Sequence, residues 1–242
     1  MSGNITSLTF AGQAGFIIES KNGYRIGIDL YLSDCCYRYF GFKRLMPYLY
    51  NPLELNLDML VATHAHYDHF DPDSIPLIMS NYKTRLLCAK DCYSEVERLN
   101  LDQSRITYIV QGETFENCEV KIKAIPCDHG AETPYAIGLL IEVDGKYIYI
   151  AGDTCFREEI FKLQELQNID VMIMPINGAF GNLNESESVK ATGIIKPEIA
   201  IPCHYWNFAE HGGNPNIFAE NMKSENPEID YYLMRAGETI KI

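Results

Sequence analysis

The segment His64-Ala65-His66-Tyr67-Asp68-His69 directly follows an apolar run, 57–63, that is typical of a buried strand. Residues two apart in extended backbone point to the same side, so His64 and His66 can hold one metal ion together. The chain then has to turn before the next predicted helix, and this turn aims the last two residues of the segment at a second point nearby. Imidazole and carboxylate groups suit Zn²⁺, Mn²⁺, Fe²⁺ and Ni²⁺. The segment therefore predicts a centre for divalent metal ions.

Three more polar side chains end predicted strands, each beside Gly or Pro or within one residue of them: His129, Asp153 and His204. Functional groups are often held where a rigid strand passes into a loop. A single His after a strand is more often an ordinary polar residue than a ligand. Five of the six histidines nevertheless fit one ligand scheme, which leaves only His211 outside it. The pattern predicts a mononuclear or dinuclear metal site.

The remaining sequence predicts a mixed α/β (α+β) chain, rich in strands and with helices in both halves. Strands are predicted at 5–10, 15–19, 24–30, 57–63, 84–89, 106–110, 113–115, 119–125, 136–143, 147–151, 170–175, 198–202 and 231–235. Helices are predicted from an Asp71 cap with Pro72 in the first turn, and at 91–99, 158–166, 185–195 and 215–224. Two sheets covered by helices fit this order, and 242 residues suit a single domain over 1–242.

Charge and cysteine content limit the classes of binding partner and the cellular compartment that we expect. The formal net charge of −13 argues against long nucleic acids and against an anionic membrane surface. The stretch from Met1 to Ser20 has no export signal, and the eight cysteines form no Cys-x-x-Cys pair, so reduced thiols and a cytoplasmic protein are expected. Residues 31–56 are predicted to form a loop or short helices. The aromatic segment 31–50 within them is expected to roof the pocket or to form a subunit contact, and the second alternative would make the protein a homo-oligomer.

The ligand pattern resembles that of the metallo-β-lactamase superfamily, in the order of that family and over almost the whole chain. The resemblance implies a four-layer αββα sandwich. It implies that His64, His66 and His129 hold a first metal ion and that Asp68, His69 and His204 hold a second, with Asp153 bridging them. It also implies a hydroxide between the metals as the nucleophile. Zn²⁺ is the usual metal of the superfamily.

Two further stretches are similar to the L-ascorbate-6-phosphate lactonase-like branch, for which the resemblance implies Mn²⁺. They are Met174-Pro175-Ile176-Asn177-Gly178 and the segment from Ile201 to Phe208 that leads into His211-Gly212-Gly213-Asn214-Pro215. Asp29-Leu30-Tyr31 is also similar to an early aspartate strand of that branch. This chain is shorter than the lactonase proper of that branch.

The function predicted on these grounds is metal-dependent hydrolysis of a small carbohydrate lactone or a phosphorylated sugar lactone. Asp68 and Asp153 are predicted to be catalytic, with His211 or Tyr205 as the general acid. Predicted substrate contacts are Asn177, Trp206, His211 and Gly212. For Lys43 and Arg44 there are two interpretations, a phosphate site and a solvated basic pair.

The alternatives to this function are a phosphodiesterase for a small or cyclic phosphodiester, a redox di-iron protein and a non-catalytic metal-binding protein. Di-iron relatives carry Glu where this chain has His66, which counts against the redox alternative.

Overall fold

Fourteen strands and six helices make up the regular structure of the computed structural model, which describes residues 5–242. The strands are β1 (Ser7–Gly12), β2 (Gly15–Glu19), β3 (Arg25–Ile28), β4 (Met59–Ala62), β5 (Arg85–Ala89), β6 (Ile106–Ile109), β7 (Thr114–Glu116), β8 (Lys121–Pro126), β9 (Ile137–Val143), β10 (Lys146–Ile150), β11 (Val171–Pro175), β12 (Ile199–Cys203), β13 (Asp230–Tyr231) and β14 (Thr239–Lys241). The helices are α1 (Cys35–Phe40), α2 (Ser74–Met79), α3 (Tyr93–Arg98), α4 (Glu158–Phe161), α5 (Glu185–Ile195) and α6 (Pro215–Glu225). Residues 1–4 lie outside the described residues. They belong to the predicted domain 1–242 and to the stretch from Met1 to Ser20 that is predicted to carry no export signal.

The strands form two seven-stranded sheets. The first sheet has the order β14-β1-β2-β3-β4-β5-β6, and the second has the order β13-β12-β11-β10-β9-β8-β7. Strands β3, β4 and β5 run parallel, as do β10, β11 and β12. Strand β8 has the same direction as β10 because each is antiparallel to β9. Several strands in each sheet therefore end at a common edge.

The core has layers that match the predicted αββα sandwich. Between the sheets, side chains such as Phe16 and Ile18 of the first pack with Leu139 and Ile173 of the second. A second apolar cluster joins the outer face of the first sheet to α2 and α3, and a third joins the outer face of the second sheet to α4 and α5. The fold class predicted from the sequence is confirmed.

The end of the chain differs from the prediction. The strand predicted at 231–235 is reduced to β13, because the chain leaves the second sheet after Tyr231 and crosses to the first. There β14, which was not predicted, pairs antiparallel with β1 in the register Leu8 to Ile240. The crossing turns at Gly237, whose φ is +86°. A pairing partner so distant in sequence leaves no local pattern.

Several helices also begin or end elsewhere than predicted. Helix α3 begins at Tyr93 rather than at residue 91, after a 3₁₀ turn at Lys90–Cys92. Helix α2 begins at Ser74 rather than at Pro72, but Asp71 still accepts hydrogen bonds from the backbone N–H groups of Asp73 and Ser74. The helix predicted at 158–166 ends at Phe161, because Leu163 is extended and a separate 3₁₀ turn follows. Phe161 and Leu166 reach the same apolar cluster despite this break.

The eight cysteines are free thiols in the described chain. Within residues 5–242, no helix combines the length and the apolar character needed to cross a membrane.

Candidate metal centre

The predicted metal ligands lie together at the edge where the strands of both sheets end. The segment 64–69 follows β4, and His129, Asp153 and His204 follow β8, β10 and β12. The backbone N–H of Ile137 donates to the carbonyl of Thr63 at 3.1 Å, which ties the two sheets together at this edge. The structure brings all seven predicted ligands into one cluster.

Three imidazoles converge on a first point. The Nε2 atoms of His64 and His129 each lie 3.0 Å from Nδ1 of His66. His64 is completely buried and His129 is nearly so. Ring nitrogens that face one another at this distance are favourable only with a proton or a cation between them, so this triad suits a metal ion.

Asp68, His69 and His204 converge on a second point. Nε2 of His204 lies 3.2 Å from Oδ2 of Asp68 and 3.3 Å from Nε2 of His69. His69 and His204 are both fully buried, whereas Asp68 borders the cavity described below. The mixed imidazole and carboxylate set is one that divalent transition metals accept.

Asp153 lies between the two groups. Its Oδ1 is 3.3 Å from Nε2 of His69, and its Oδ2 is 3.1 Å from Nε2 of His204 and 3.8 Å from Nε2 of His129. One carboxylate thus reaches ligands of both triads. This is the position that the resemblance implies for a bridging ligand.

A buried carboxylate, Asp29, orients two of the imidazoles. Its Oδ2 lies 2.8 Å from Nδ1 of His69 and 2.6 Å from the Thr63 hydroxyl, which donates to it. Since that hydroxyl gives its proton to Asp29, it accepts from Nδ1 of His64 at 3.1 Å. Both imidazoles therefore carry a proton on Nδ1 and present Nε2 to the centre, as metal ligands do.

Sequence reasoning gave Asp29 no role in the site beyond its likeness to the lactonase branch, and it missed Gln13 and Asn182. Nε2 of Gln13 lies 2.8 Å from Oδ2 of Asp68, and Nδ2 of Asn182 lies 2.6 Å from Oδ2 of Asp153. Asp29 follows β3 as the ligands follow their strands, which is a signal that could have found it. Gln13 and Asn182 lie in loops, and no local pattern marks them.

Three residues of this site have strained backbone. Gln13, Asp29 and His204 have φ values of +54°, +46° and +59°. Non-glycine residues rarely adopt this left-handed conformation, which costs on the order of 1–3 kcal/mol each. The surrounding packing evidently holds these side chains in place against that cost.

The charges of the cluster shift the pKa values of its members. Burial opposes the charged form of His69, but the carboxylates of Asp153, Asp29 and Asp68 outweigh it and raise its pKa well above the ordinary value. For His204, burial is likewise outweighed by Asp153 and Asp68, and the pKa rises to about 9. The pKa values of Asp68 and Asp153 fall well below normal, because His69 and His204 outweigh burial. Without metal, the second group is thus a network of carboxylates and imidazolium ions.

The first triad behaves differently. Burial and the charge of His69 lower the pKa of His64 well below its ordinary value. Burial also lowers the pKa of His129. These rings are therefore neutral and ready to act as ligands. The donor set fits two divalent cations once His69 and His204 have lost the protons on their Nε2 atoms.

A cavity of about 450 Å³ opens above the cluster. His66, Asp68, His129, Asp153 and His204 form its floor, and His211 also lines it. The ring of His211 stacks on that of His204 with centroids 4.9 Å apart and planes within 9°. Burial and the His204 charge lower the pKa of His211 to about 4. This lowered pKa favours a neutral ring near pH 7, and the role of His211 as general acid stays a prediction.

Four other predicted site residues lie elsewhere. The described residues that line the cavity do not include Tyr205, Trp206, Asn177 or Gly212. Tyr205 and Trp206 line a separate cavity, and burial raises the pKa of Tyr205 to about 12. Gly212 packs so closely on Asn177 that a Cβ atom there would lie 2.5 Å from the Asn177 carbonyl oxygen. This contact supports the loop that carries His211.

The basic pair also lies away from the centre. Lys43 and Arg44 line a third cavity. The guanidinium of Arg44 lies 4.2 Å from the ring centroid of Tyr31 and donates to Oδ1 of Asn207 at 3.2 Å. Arg44 thus holds the loop at 207 against the segment at 31, a structural role.

Comparison with known proteins agrees with this geometry. A family model described as a β-lactamase superfamily domain matches residues 7–204. A UPF0173 metal-dependent hydrolase of Archaeoglobus fulgidus is 24% identical over 242 residues, covering 96% of this chain and 97% of that protein. One from Pelotomaculum thermopropionicum is 28% identical over 259 residues, covering 97% and 99%.

Solved structures show the same fold. The metallo hydrolase Igni18 of Ignicoccus hospitalis has a TM-score of 0.77 at 26% identity, covering 98% of both chains. The metallo-β-lactamase fold protein YhfI of Bacillus subtilis has a TM-score of 0.74 at 16% identity, covering 99% of this chain and 100% of its own. With two sheets, a cluster of seven candidate ligands and a family match over most of its length, this chain belongs to the metallo-β-lactamase superfamily, and the relatives compared above are named metal-dependent hydrolases.

Proposed function

We propose that the chain hydrolyses a small, neutral carboxylic ester, in particular a lactone, in the cavity above the metal centre. The observation that carries this proposal is the charge of the cavity. Among the described residues that line it, none is Lys or Arg. Sites for phosphoryl groups commonly use such cations on the phosphate oxygens. A neutral carbonyl group needs none beyond the metal ions.

The seven ligands define where cations would lie. His64, His66 and His129 would hold one, and Asp68, His69 and His204 the other, with Asp153 shared. Bound Zn²⁺ or Mn²⁺, or Fe²⁺ or Ni²⁺, would polarise a substrate oxygen and lower the pKa of water.

The protein keeps both catalytic carboxylates fixed. Asn182 donates to Oδ2 of Asp153, and Gln13 donates to Oδ2 of Asp68. Asp153 and Asn182 are both buried. Side chains held in this way need little reorganisation during the reaction, which favours catalysis. We assign Asp68 and Asp153 the role of orienting the reacting groups.

His211 supplies a neutral hydrogen-bond donor to the same cavity. Its Nδ1 lies 3.4 Å from Nε2 of Gln13, an amide nitrogen that can only donate. With Nδ1 as the acceptor, the neutral ring carries its proton on Nε2. That N–H can stabilise negative charge on a carbonyl oxygen or on the leaving oxygen, which replaces the proton transfer that the sequence predicted for His211.

A substrate panel tests the proposal. The protein is loaded with Zn²⁺ or Mn²⁺ and assayed with δ-valerolactone, a phosphorylated sugar lactone and bis(p-nitrophenyl) phosphate, with Asp68→Ala and the chelated protein as controls. We expect kcat/KM to be highest for the neutral lactone and to be lost in both controls. Faster hydrolysis of the phosphodiester would make the protein a phosphodiesterase instead. Metal binding without any hydrolysis would support the non-catalytic alternative.

A further inference from the structure

An arc of aromatic rings borders the cavity above the metal centre. Tyr67, Phe40, Phe42 and Phe180 line it in that order, and the ring centroids are 5.5, 6.4 and 5.7 Å apart. The arc begins inside the ligand segment at Tyr67. It ends over His211, whose ring lies 5.9 Å from Phe42 and 5.2 Å from Phe180. The rings thus surround the place where a substrate would enter.

Two of these phenylalanines are unusually exposed. The exposed fraction is 57% for Phe40 and 58% for Phe180. A phenyl ring gains free energy when its surface leaves water, and here an apolar group in the cavity would cover both rings. Helix α1 ends at Phe40 and is capped by Gly41, whose φ of +80° turns the chain between Phe40 and Phe42. The aromatic segment after residue 31 therefore provides a wall of the site.

The wall offers little to a polar substrate. The Tyr67 hydroxyl accepts a hydrogen bond from Arg98, and the Asn182 amide is bonded to Asp153. Apart from the ligands and His211, Glu132 is the only charged side chain among the described residues that line the cavity. Beyond the ligands and His211, the side-chain partners left for sugar hydroxyls are the Glu132 carboxylate and the Tyr67 O–H, and a phosphate would meet the negative charge of Glu132.

We propose that the part of the substrate next to the scissile group is apolar, an aryl or branched alkyl group seated against the arc formed by Tyr67, Phe40, Phe42 and Phe180. This inference rests on the proposed function and replaces the carbohydrate substrate class with an apolar one. The chemical class is a neutral lactone or ester that carries an apolar substituent.

The test compares matched lactones. The metal-loaded protein is assayed with 6-phenyl-δ-valerolactone, unsubstituted δ-valerolactone and gluconolactone, each corrected for spontaneous hydrolysis. We expect kcat/KM to be about 10-fold or more higher for the phenyl compound than for either of the others. Equal or faster turnover of gluconolactone would overturn the inference.

Substitutions of the aromatic residues test which rings cause the preference for the phenyl lactone. Phe42→Ala and Phe180→Ala should each reduce the preference for the phenyl compound by about 10-fold, since each removes one ring of the proposed seat. Phe180 is more than half exposed, so its truncation leaves the core intact. Tyr82→Ala is the matched control, because Tyr82 is 78% exposed and does not line the cavity. A preference that is unchanged in both phenylalanine variants would overturn the inference.

A binding measurement separates this inference from the proposed function. The corresponding lactams, 6-phenylpiperidin-2-one and piperidin-2-one, hydrolyse far more slowly and serve as calorimetric probes. Tighter binding of the phenyl lactam, weakened by Phe42→Ala, supports the apolar seat even if no lactone is hydrolysed, in which case the proposed function fails alone. Lactone hydrolysis without any phenyl preference would overturn the apolar seat alone.

Discussion

Asp29 and His69 form a fully buried pair in which Oδ2 of the carboxylate lies 2.8 Å from Nδ1 of the ring. The pair presents Nε2 of His69 to Asp68, Asp153 and His204. Hydrogen bonds of this kind fix the tautomer of a metal-ligating histidine and raise its basicity. Asp29 therefore acts on the metal centre without contacting it.

Asp29→Asn should weaken metal binding by about 10- to 100-fold, because an amide cannot accept the His69 proton with the strength of a carboxylate. The measurement is competition against a chelator of known affinity. Asp170→Asn is the control, since Asp170 pairs with Lys146 and the N–H of Tyr147 away from the centre. Equal metal affinity of Asp29→Asn and the wild type would contradict the role of Asp29.

Metal binding should release protons at neutral pH. The pKa of His69 is raised well above normal and that of His204 to about 9, so both rings are protonated in the metal-free protein and must lose a proton to become ligands. Apparent metal affinity should therefore rise as pH increases from 6 toward 9. Calorimetry in buffers of different ionisation enthalpy should count about one to two protons per protein near pH 7.

His211→Gln is the matched variant for this titration. The pKa of His211 is lowered to about 4, so that ring has no proton to release near pH 7. The proton count should be the same in the variant and the wild type. Binding that releases no protons in either protein would show that the carboxylates do not hold His69 and His204 in the charged form.

Gly152 places Asp153, and its substitution should affect both stability and metal binding. Its φ is +66°, and a Cβ atom would lie 2.7 Å from the carbonyl oxygen of Ile137. Gly152→Ala should lower the free energy of unfolding by about 1–3 kcal/mol and reduce the amount of bound metal. Chemical denaturation and elemental analysis measure the two effects.

Gly145→Ala is the control that separates the cost of a left-handed backbone from the cost of a steric clash at Cβ. Gly145 has a φ of +81° but nothing within 4 Å of a Cβ atom. This variant should show the cost of the left-handed backbone alone and retain its metal. The interpretation fails if the two variants lose equal stability and both bind metal normally.

The ligands could be predicted from the sequence because their signals are local. His64 and His66 alternate along an extended chain, and His204 follows an apolar strand directly. The layers could be predicted for a similar reason, since strands buried on both faces are continuous apolar runs. Each of these features depends on neighbouring residues only.

The other parts of the site depend on distant contacts. Gln13 reaches Asp68 across 55 positions of the sequence, and Phe180 meets Phe42 only in the folded chain. Asn177 and Trp206 are close to candidate ligands in sequence but do not line this cavity, so their contact with a substrate stays a prediction. Strand β14 is short and was missed because its partner, β1, is at the other end of the chain.

The last prediction concerns the role of His211 in turnover. As a neutral donor through Nε2, it would stabilise negative charge in the transition state, and removal of such a donor commonly costs about 10²–10³-fold in kcat. His211→Ala should therefore lower kcat for the neutral lactone strongly. Because the pKa of His211 is lowered to about 4, the ring is neutral throughout pH 6–8, so the shape of the pH profile in that range should not change. His211→Asn, which retains an N–H donor on a shorter side chain, should recover part of the loss. The comparison is kcat against pH for the three proteins. A wild-type profile with an alkaline decline near pH 7 that disappears in His211→Ala would mean that His211 transfers a proton after all, as the sequence alone predicts.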